Sequence, residues 1–345
     1  MNGGWMNGGR MNGGRMNGGR MNGGRMNGGW MNGGWMNGGR MNGRMWTGYG
    51  IDGRSRLIKG ACMRFLGLFL LPVALGCWPI GAAEVSAVKP VVPDSTISLV
   101  AGQELKTHWY TWLTDDGHED PRGVFAMQPD GVLRISGDGF GGLITRKEYA
   151  DYYLVMEYRW GTKTWRNRAD RARDGGLLLH CQGPDGNFGG TKEKPGPWMT
   201  SVECQIIEGG VGDILVLQGT DQDGKTMDAA ATCEITRDRD GEAVWTAGGE
   251  KERFTAGRIN WSGRDPDWKD VLDFRGAKDV DSPGQEWTTL ECFVKGDTLT
   301  YRVNGVIVNR AEGVVPKQGK ILLQTEGAEI FVRKLELRPL PDKIP

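Results

Sequence analysis

Between residues 105 and 341, apolar positions recur every second residue in short runs, and no segment keeps a long 3.6-residue period. Alternation of this kind sends one row of side chains into a core and the other to the opposite face of a sheet. It predicts strands over Val132–Ser136, Tyr153–Trp160, Gly176–Cys181, Ser201–Ile207, Ile214–Gln218, Thr288–Lys295, Thr298–Val303, Val306–Arg310, Lys320–Thr325 and Glu329–Pro339. Tight turns are expected at Lys295-Gly296-Asp297 and at Asn304-Gly305, the latter a strong hairpin signal. Many short strands separated by Gly, Asp and Pro predict an all-β sandwich. Residues 219–286 break the rhythm with weak periodicity, many charges and Trp245, Trp261 and Trp268. They read as a long loop insertion, either a functional lid or surface decoration.

The N-terminal part has a different character. Residues 1–40 are eight copies of Met-Asn-Gly-Gly-Trp/Arg, a tract too Gly-rich to bury a core. Residues 1–62 are expected to be disordered, or a translated repeat upstream of the true start. Met63-Arg64 then opens a basic start, an apolar run over residues 65–75 and a small-residue exit at Gly81-Ala82-Ala83. That pattern predicts a signal peptide over 63–83, with a Pro/Val-rich linker over 84–104 and one sandwich domain over 105–341. The apolar run is short for a membrane span, so no stable transmembrane helix is expected in an exported, periplasmic or extracellular chain. Anchoring as a lipoprotein through Cys77 is the alternative.

Charge changes once the leader is set aside. The whole chain has 43 basic and 43 acidic residues, whereas residues 84–345 carry 33 against 42. An acidic domain lacks the basic footprint of nucleic-acid binding. Cys181, Cys204, Cys233 and Cys292 remain in it, none at C-x-x-C spacing, so a zinc site is not expected.

Alternation also sorts the candidate chemistry. Glu157 aligns with Arg159, Leu178 with His180, Ser201 with Glu203 and Gln205, and Leu322 with Gln324 and Glu326. The intervening Leu177, Leu179, Val202, Ile206, Ile321 and Leu323 suit a core. The polar row is either a solvated face or a surface for sugar hydroxyls. With His180 and Glu203 on one face, Cys181 and Cys204 share the other, and a Cys181–Cys204 disulfide is expected.

The run from Gly284 to Leu340 resembles the closing strands of the 3-keto-disaccharide hydrolase family. The features are Glu286-Trp287, Lys295-Gly296-Asp297, Asn304-Gly305 and Gln324-Thr325-Glu326-Gly327. A middle signature is similar as well: Asp174-Gly175-Gly176-Leu177 with His180, then Ser201-Val202-Glu203-Cys204-Gln205 and Glu208-Gly209. Gly175 departs from it, since many relatives carry Ser there. The resemblance spans residues 105–340 and implies a concanavalin-like jelly-roll sandwich of two antiparallel sheets acting on glycosides oxidised at carbon 3.

A 3-keto sugar is acidic at carbon 2, so its cleavage needs a base, an oxyanion stabiliser and an acid for the leaving group. Glu203 or His180 is the candidate base, and Glu208 or Glu326 the candidate acid. Arg159 and Gln205 are candidate oxyanion or hydroxyl contacts, with Glu157, Asp174 and Gln324 as further substrate contacts. Trp165, Trp198 and Trp261 are candidates for stacking on sugar rings. A divalent metal held by His180 and Glu203 is the alternative electrophile. Concanavalin-like glucanases use Glu-x-Asp-x-x-Glu, and here Gln205 replaces the middle carboxylate, which weakens a glucanase-like reading. A non-catalytic carbohydrate-binding module is the other alternative.

Overall fold

The structure, a computed structural model, describes residues 89–100, 105–191 and 193–345. The repeat, the signal segment and Cys77 lie outside the described residues. Two antiparallel sheets make up almost all of the domain. The smaller has seven strands, in the spatial order Gly257–Ile259, Ile214–Leu217, Thr200–Ile207, Asp174–Gln182, Lys320–Glu326, Phe140–Thr145 and Trp109–Leu113. The larger has eleven. Its path runs Ala243–Trp245, Ala230–Arg237, Val306–Val315, Thr298–Val303, Thr288–Lys295, Tyr152–Thr164, Ala328–Arg338, Leu133–Ile135 and Phe125–Met127. Ile97–Ser98 and Glu250–Phe254 add to its flanks. Strand neighbours are mostly distant in sequence, as in a jelly roll.

The alternating rows meet between the sheets. Leu177, Leu179, Val202, Cys204, Ile206, Ile321 and Leu323 from the smaller sheet pack with Leu154, Met156, Tyr158, Leu290, Cys292, Val294 and Tyr301 from the larger. All are fully or almost fully buried, which supplies the hydrophobic free energy of the fold. Asn304 and Gly305 both take positive φ, 46° and 84°, the geometry an Asn-Gly hairpin turn requires.

Two sequence expectations differ from the structure. Residues 219–286 are not one loop: Ala230–Arg237, Ala243–Trp245, Glu250–Phe254 and Gly257–Ile259 are strands that extend both sheets. Charged residues on their outer face mask the alternation of Ala231, Cys233 and Ile235, which point into the core. The irregular part is the stretch after Asn260, up to the strand that begins at Thr288.

The second difference lies at His180. Pairing runs Leu179↔Val202 and then Gln182↔Thr200, so the strand holds one extra residue there. His180 sits at φ 59°, and the bulge inverts the side-chain parity beyond it. His180 therefore turns into the core, while Cys181 joins Leu178 and Leu322 on the outer face. Cys181 and Cys204 thus lie on opposite faces, both with free buried thiols, and the expected disulfide between them is absent.

Candidate active site

The outer face of the smaller sheet carries a cluster of carboxyls. Glu203 stands opposite Leu178 on the neighbouring strand, and Gln205 opposite Gly176, so the missing side chain at 176 leaves room above the sheet. A Cβ at Gly176 would collide with Glu203 Oε1 and Gln324 Oε1. Asp174 lies one register step beyond and accepts from Gln205 Nε2, from Arg168 and, at 2.9 Å, from the Gly175 amide. Glu326 lies 3.6 Å from the Arg168 guanidinium. Glu203, Gln205, Gln324 and Asp174 are buried, and Glu326 is part-exposed.

Burial dominates the electrostatics. It pushes the Glu203 carboxyl up to about 8, helped by the Asp174 charge and opposed by Arg258 and Gln324. Burial and then Asp174 also raise Glu326 well above the usual carboxylate range, against the pull of Arg168. Burial raises Asp174 too, but its three donors favour the charged form. A charge on Asp174, which those donors favour, disfavours a second charge on Glu203 or Glu326. Glu203 Oε1 and Gln324 Oε1 are buried acceptors without a donor among the described residues. Two unpaired acceptors side by side fit hydroxyl donors.

Loops enclose the cluster. Arg168 ends a 3₁₀ turn, Arg166–Arg168, whose entry is held by Trp165 Nε1 on Ser136 O at 2.8 Å. Arg168 also reaches Asp270 at 3.0 Å and so ties this turn to the segment 262–281. At the exposed edge, Phe140 pairs in register with Glu326 and meets the edge of Trp198, ring centres 6.5 Å apart. Arg166 lies 6.0 Å over the Phe140 ring. Trp198 and Phe188 also cover the apolar patch of Ile144, Leu178, Met199 and Leu322 on the same face.

The sequence-predicted residues divide into those the fold brings together and those it does not. Glu203, Gln205, Gln324, Glu326 and Asp174 converge, with Trp165 and Trp198 at the margins. Glu157 and Arg159 are elsewhere, on the outer face of the larger sheet. Glu157 pairs with Arg333 and Lys334, and Arg159 lies 4.5 Å from the Phe331 ring centre and 5.2 Å from that of Trp287. Trp261 is a core residue, its indole bonded to Gly209 O at 3.3 Å. Glu208 follows the end of its strand and turns away, bonded to the Arg173 guanidinium at 2.5 Å and to the Arg173 and Asp273 amides.

His180 does not meet Glu203. Its Nδ1 lies 2.8 Å from Pro316 O, a carbonyl that can only accept, so Nδ1 carries the proton. Burial lowers its pKa to about 4, and the ring is neutral against Tyr152. A metal held jointly by His180 and Glu203 therefore does not fit. No group of three or more His, Cys, Asp or Glu side chains among the described residues is arranged to hold a metal ion.

Sequence reasoning missed Arg168, Asp270 and Phe140. The first two stand in irregular segments with no periodic signal, and Phe140 declares itself only through its pairing with Glu326.

Residues 95–338 match the family of the 3-keto-alpha-glucoside-1,2-lyase-like domain. The chain belongs to this family. No curated protein matches it. Among solved structures it is similar to a candidate glycosyl hydrolase of Parabacteroides distasonis, at 15% identity and TM-score 0.40, covering 72% of this chain and 94% of that one. It is also similar to the carbohydrate-binding module CBM66 of Bacillus subtilis, at 11% identity and TM-score 0.35, covering 66% and 94%. A Bacillus licheniformis beta-glucanase matches at 9% identity and TM-score 0.31, covering 63% and 83%. In this 3-keto-alpha-glucoside-1,2-lyase-like domain, the expected sandwich of two antiparallel sheets is present, with the carboxyl cluster on the smaller one.

Proposed function

We propose that the chain cleaves the glycosidic bond of 3-keto-glycosides, with Glu203 as the base that removes the hydrogen from carbon 2. The observation that carries this reading is the Glu203 carboxyl itself: buried, with one oxygen unpaired beside Gln324, and titrating at about 8. Such a carboxylate is a stronger base than an exposed one yet is still ionised in part near neutrality. Family membership supports the substrate class.

Glu203 takes the carbon-2 proton, and the electron pair delocalises onto the carbon-3 oxygen. The enolate re-forms the ketone as the carbon-1–oxygen bond breaks. Glu326, held protonated by burial and by Asp174, gives its proton to the departing oxygen. The product is the free alcohol and a 1,2-unsaturated 3-keto sugar. Water then adds to carbon 1 and gives a proton to the Glu326 carboxylate, while Glu203, its proton exchanged with solvent, protonates carbon 2, which restores a 3-keto sugar and both carboxyl groups. Gln324 and Gln205 orient hydroxyls, and Arg168 holds Asp174 and Glu326 in place. No step requires Glu208, which binds Arg173 instead, so the glucanase-like arrangement of two facing carboxyls is not supported.

Incubation with a 3-keto-disaccharide in deuterated water tests this reading. Release of the alcohol with deuterium at carbon 2 of the sugar is expected, with no action on the unoxidised parent. Binding of both sugars without turnover would place the chain among carbohydrate-binding modules and overturn the proposal. We also propose export through residues 63–83, which an N-terminal mass measurement on the secreted chain checks.

A further inference from the structure

The sandwich holds two thiols face to face. Cys204 points inward from the smaller sheet and Cys292 inward from the larger, and both are fully buried in the same core cluster. They lie within hydrogen-bonding reach of one another, and both lie beside Tyr301. The other two cysteines among the described residues are placed differently. Cys181 is on the outer face and four residues along from Leu177, the partner of Cys204, hence about 13 Å away along the strand. Cys233 shares the larger sheet with Cys292, but two strands intervene, a separation of about 14 Å. Sheets pack about 10 Å apart, and inward cysteines on facing sheets can bridge that gap, as the inter-sheet disulfide of antibody domains does.

We propose that Cys204 and Cys292 form a disulfide that staples the two sheets when the chain folds in an oxidising environment. The oxidant is a disulfide, either glutathione disulfide or the active-site disulfide of a thiol oxidoreductase. One cysteine thiolate attacks a sulfur of that disulfide and expels a thiolate. The second cysteine then attacks the mixed disulfide and releases the other half. Two protons leave the protein and two electrons pass to the oxidant, which becomes a dithiol or two thiols. Both native thiols are buried and inert. The bond therefore forms before the sheets close, during folding, and not in the folded reduced protein.

The test refolds the full chain from its reduced, denatured state in a mixture of glutathione and glutathione disulfide. Free thiols are then alkylated under denaturing conditions and the peptides mapped by mass. The expected result is one linked pair, Cys204–Cys292, with Cys181 and Cys233 alkylated. The same mixture added to the folded reduced protein should leave Cys204 and Cys292 unlinked. Breaking a loop of this length should lower Tm by roughly 10 °C on reduction. Cys181→Ser should keep both the link and the Tm shift, and Cys292→Ser should abolish both. Alkylation of both Cys204 and Cys292 after refolding, or a link from either of them to any other cysteine, overturns the proposal. Mapping of the wild-type chain decides even where Cys292→Ser does not fold.

Discussion

Glu203 Oε1 and Gln324 Oε1 stand side by side over the backbone of Gly176, and neither has a donor within the described protein. Two strands supply the side chains and a third supplies the space, since the strand of Gly176 lies between those of Glu203 and Gln324. Both acceptors are buried, and leaving such acceptors unsatisfied costs about 1–3 kcal/mol each. A hydroxyl-rich ligand removes that cost when it binds.

Replacing the base should therefore separate chemistry from folding. Glu203→Gln keeps the shape and takes away the proton acceptor, so kcat should fall by roughly 10²–10⁴-fold. Deuterium incorporation at carbon 2 should fall with it, while the melting temperature at pH 8 stays at or above that of the parent. A variant that still exchanges the carbon-2 hydrogen at the parental rate would remove Glu203 from the mechanism.

The pH dependence follows from the same carboxyl. Its folded-state pKa of about 8 lies above the ordinary 4.5, so the folded protein holds a proton that the unfolded chain has released between those values. Stability conferred by that proton is present below about pH 4.5 and is lost as pH rises through about 8. The difference in melting temperature between parent and Glu203→Gln isolates this effect from His180 and the other buried groups. The parent should lose ground to the variant from pH 5 to pH 8. Turnover should run the other way: kcat/KM should rise with pH toward a plateau above about 8, where Glu203 is ionised.

Much of this site could be read from alternation, because parity along one strand is a local property. Ser201, Glu203 and Gln205, and likewise Leu322, Gln324 and Glu326, do share a face. Which sheet a strand joins is decided by pairing over long sequence distances, and so Glu157 and Arg159 had the right parity on the wrong sheet. The inversion at His180 rests on a non-glycine residue at positive φ, which no composition signal announces. Arg168 and Asp270 approach the site only because loops distant in sequence meet over it.

Gly176 and Gly175 make a paired comparison. A methyl at 176 meets Glu203 and Gln324, so Gly176→Ala should displace both and abolish most turnover, with overpacking costing about 1–3 kcal/mol. At 175 an added Cβ meets only Ile330 Cδ1, at 2.8 Å, on the core side. Gly175→Ser should leave kcat near the parental value, since its hydroxyl faces away from the carboxyls. Initial rates and thermal melts on the two variants check both outcomes.

Glu208 should behave as an anchor. It fastens the Asp273 segment to Arg173, and both side chains of the ion pair are nearly buried. Glu208→Ala leaves Arg173 only the exposed Asp273 carboxylate and frees the Arg173 and Asp273 amides, a loss of roughly 3 kcal/mol, the lower end for breaking a buried pair. A melting temperature lower by roughly 10 °C is expected, with kcat at low temperature close to the parent. Loss of turnover without loss of stability would instead return Glu208 to the chemistry.

Asp270 is a positioning residue for Arg168. Its carboxylate holds the guanidinium at 3.0 Å while the same guanidinium reaches Asp174 and, at 3.6 Å, Glu326. Asp270 is itself part-exposed, so Asp270→Asn should change stability by less than about 1 kcal/mol. Arg168 would lose one of its three carboxylate partners, and Asp174 and Glu326 would lose their alignment with Glu203. Misplacement of catalytic groups by a fraction of an ångström to 1 Å lowers kcat by roughly 10- to 100-fold. The decrease should appear in kcat more than in KM, and Asp270→Glu should restore part of it. An Asn variant with parental kcat would show that Arg168 keeps its place without Asp270.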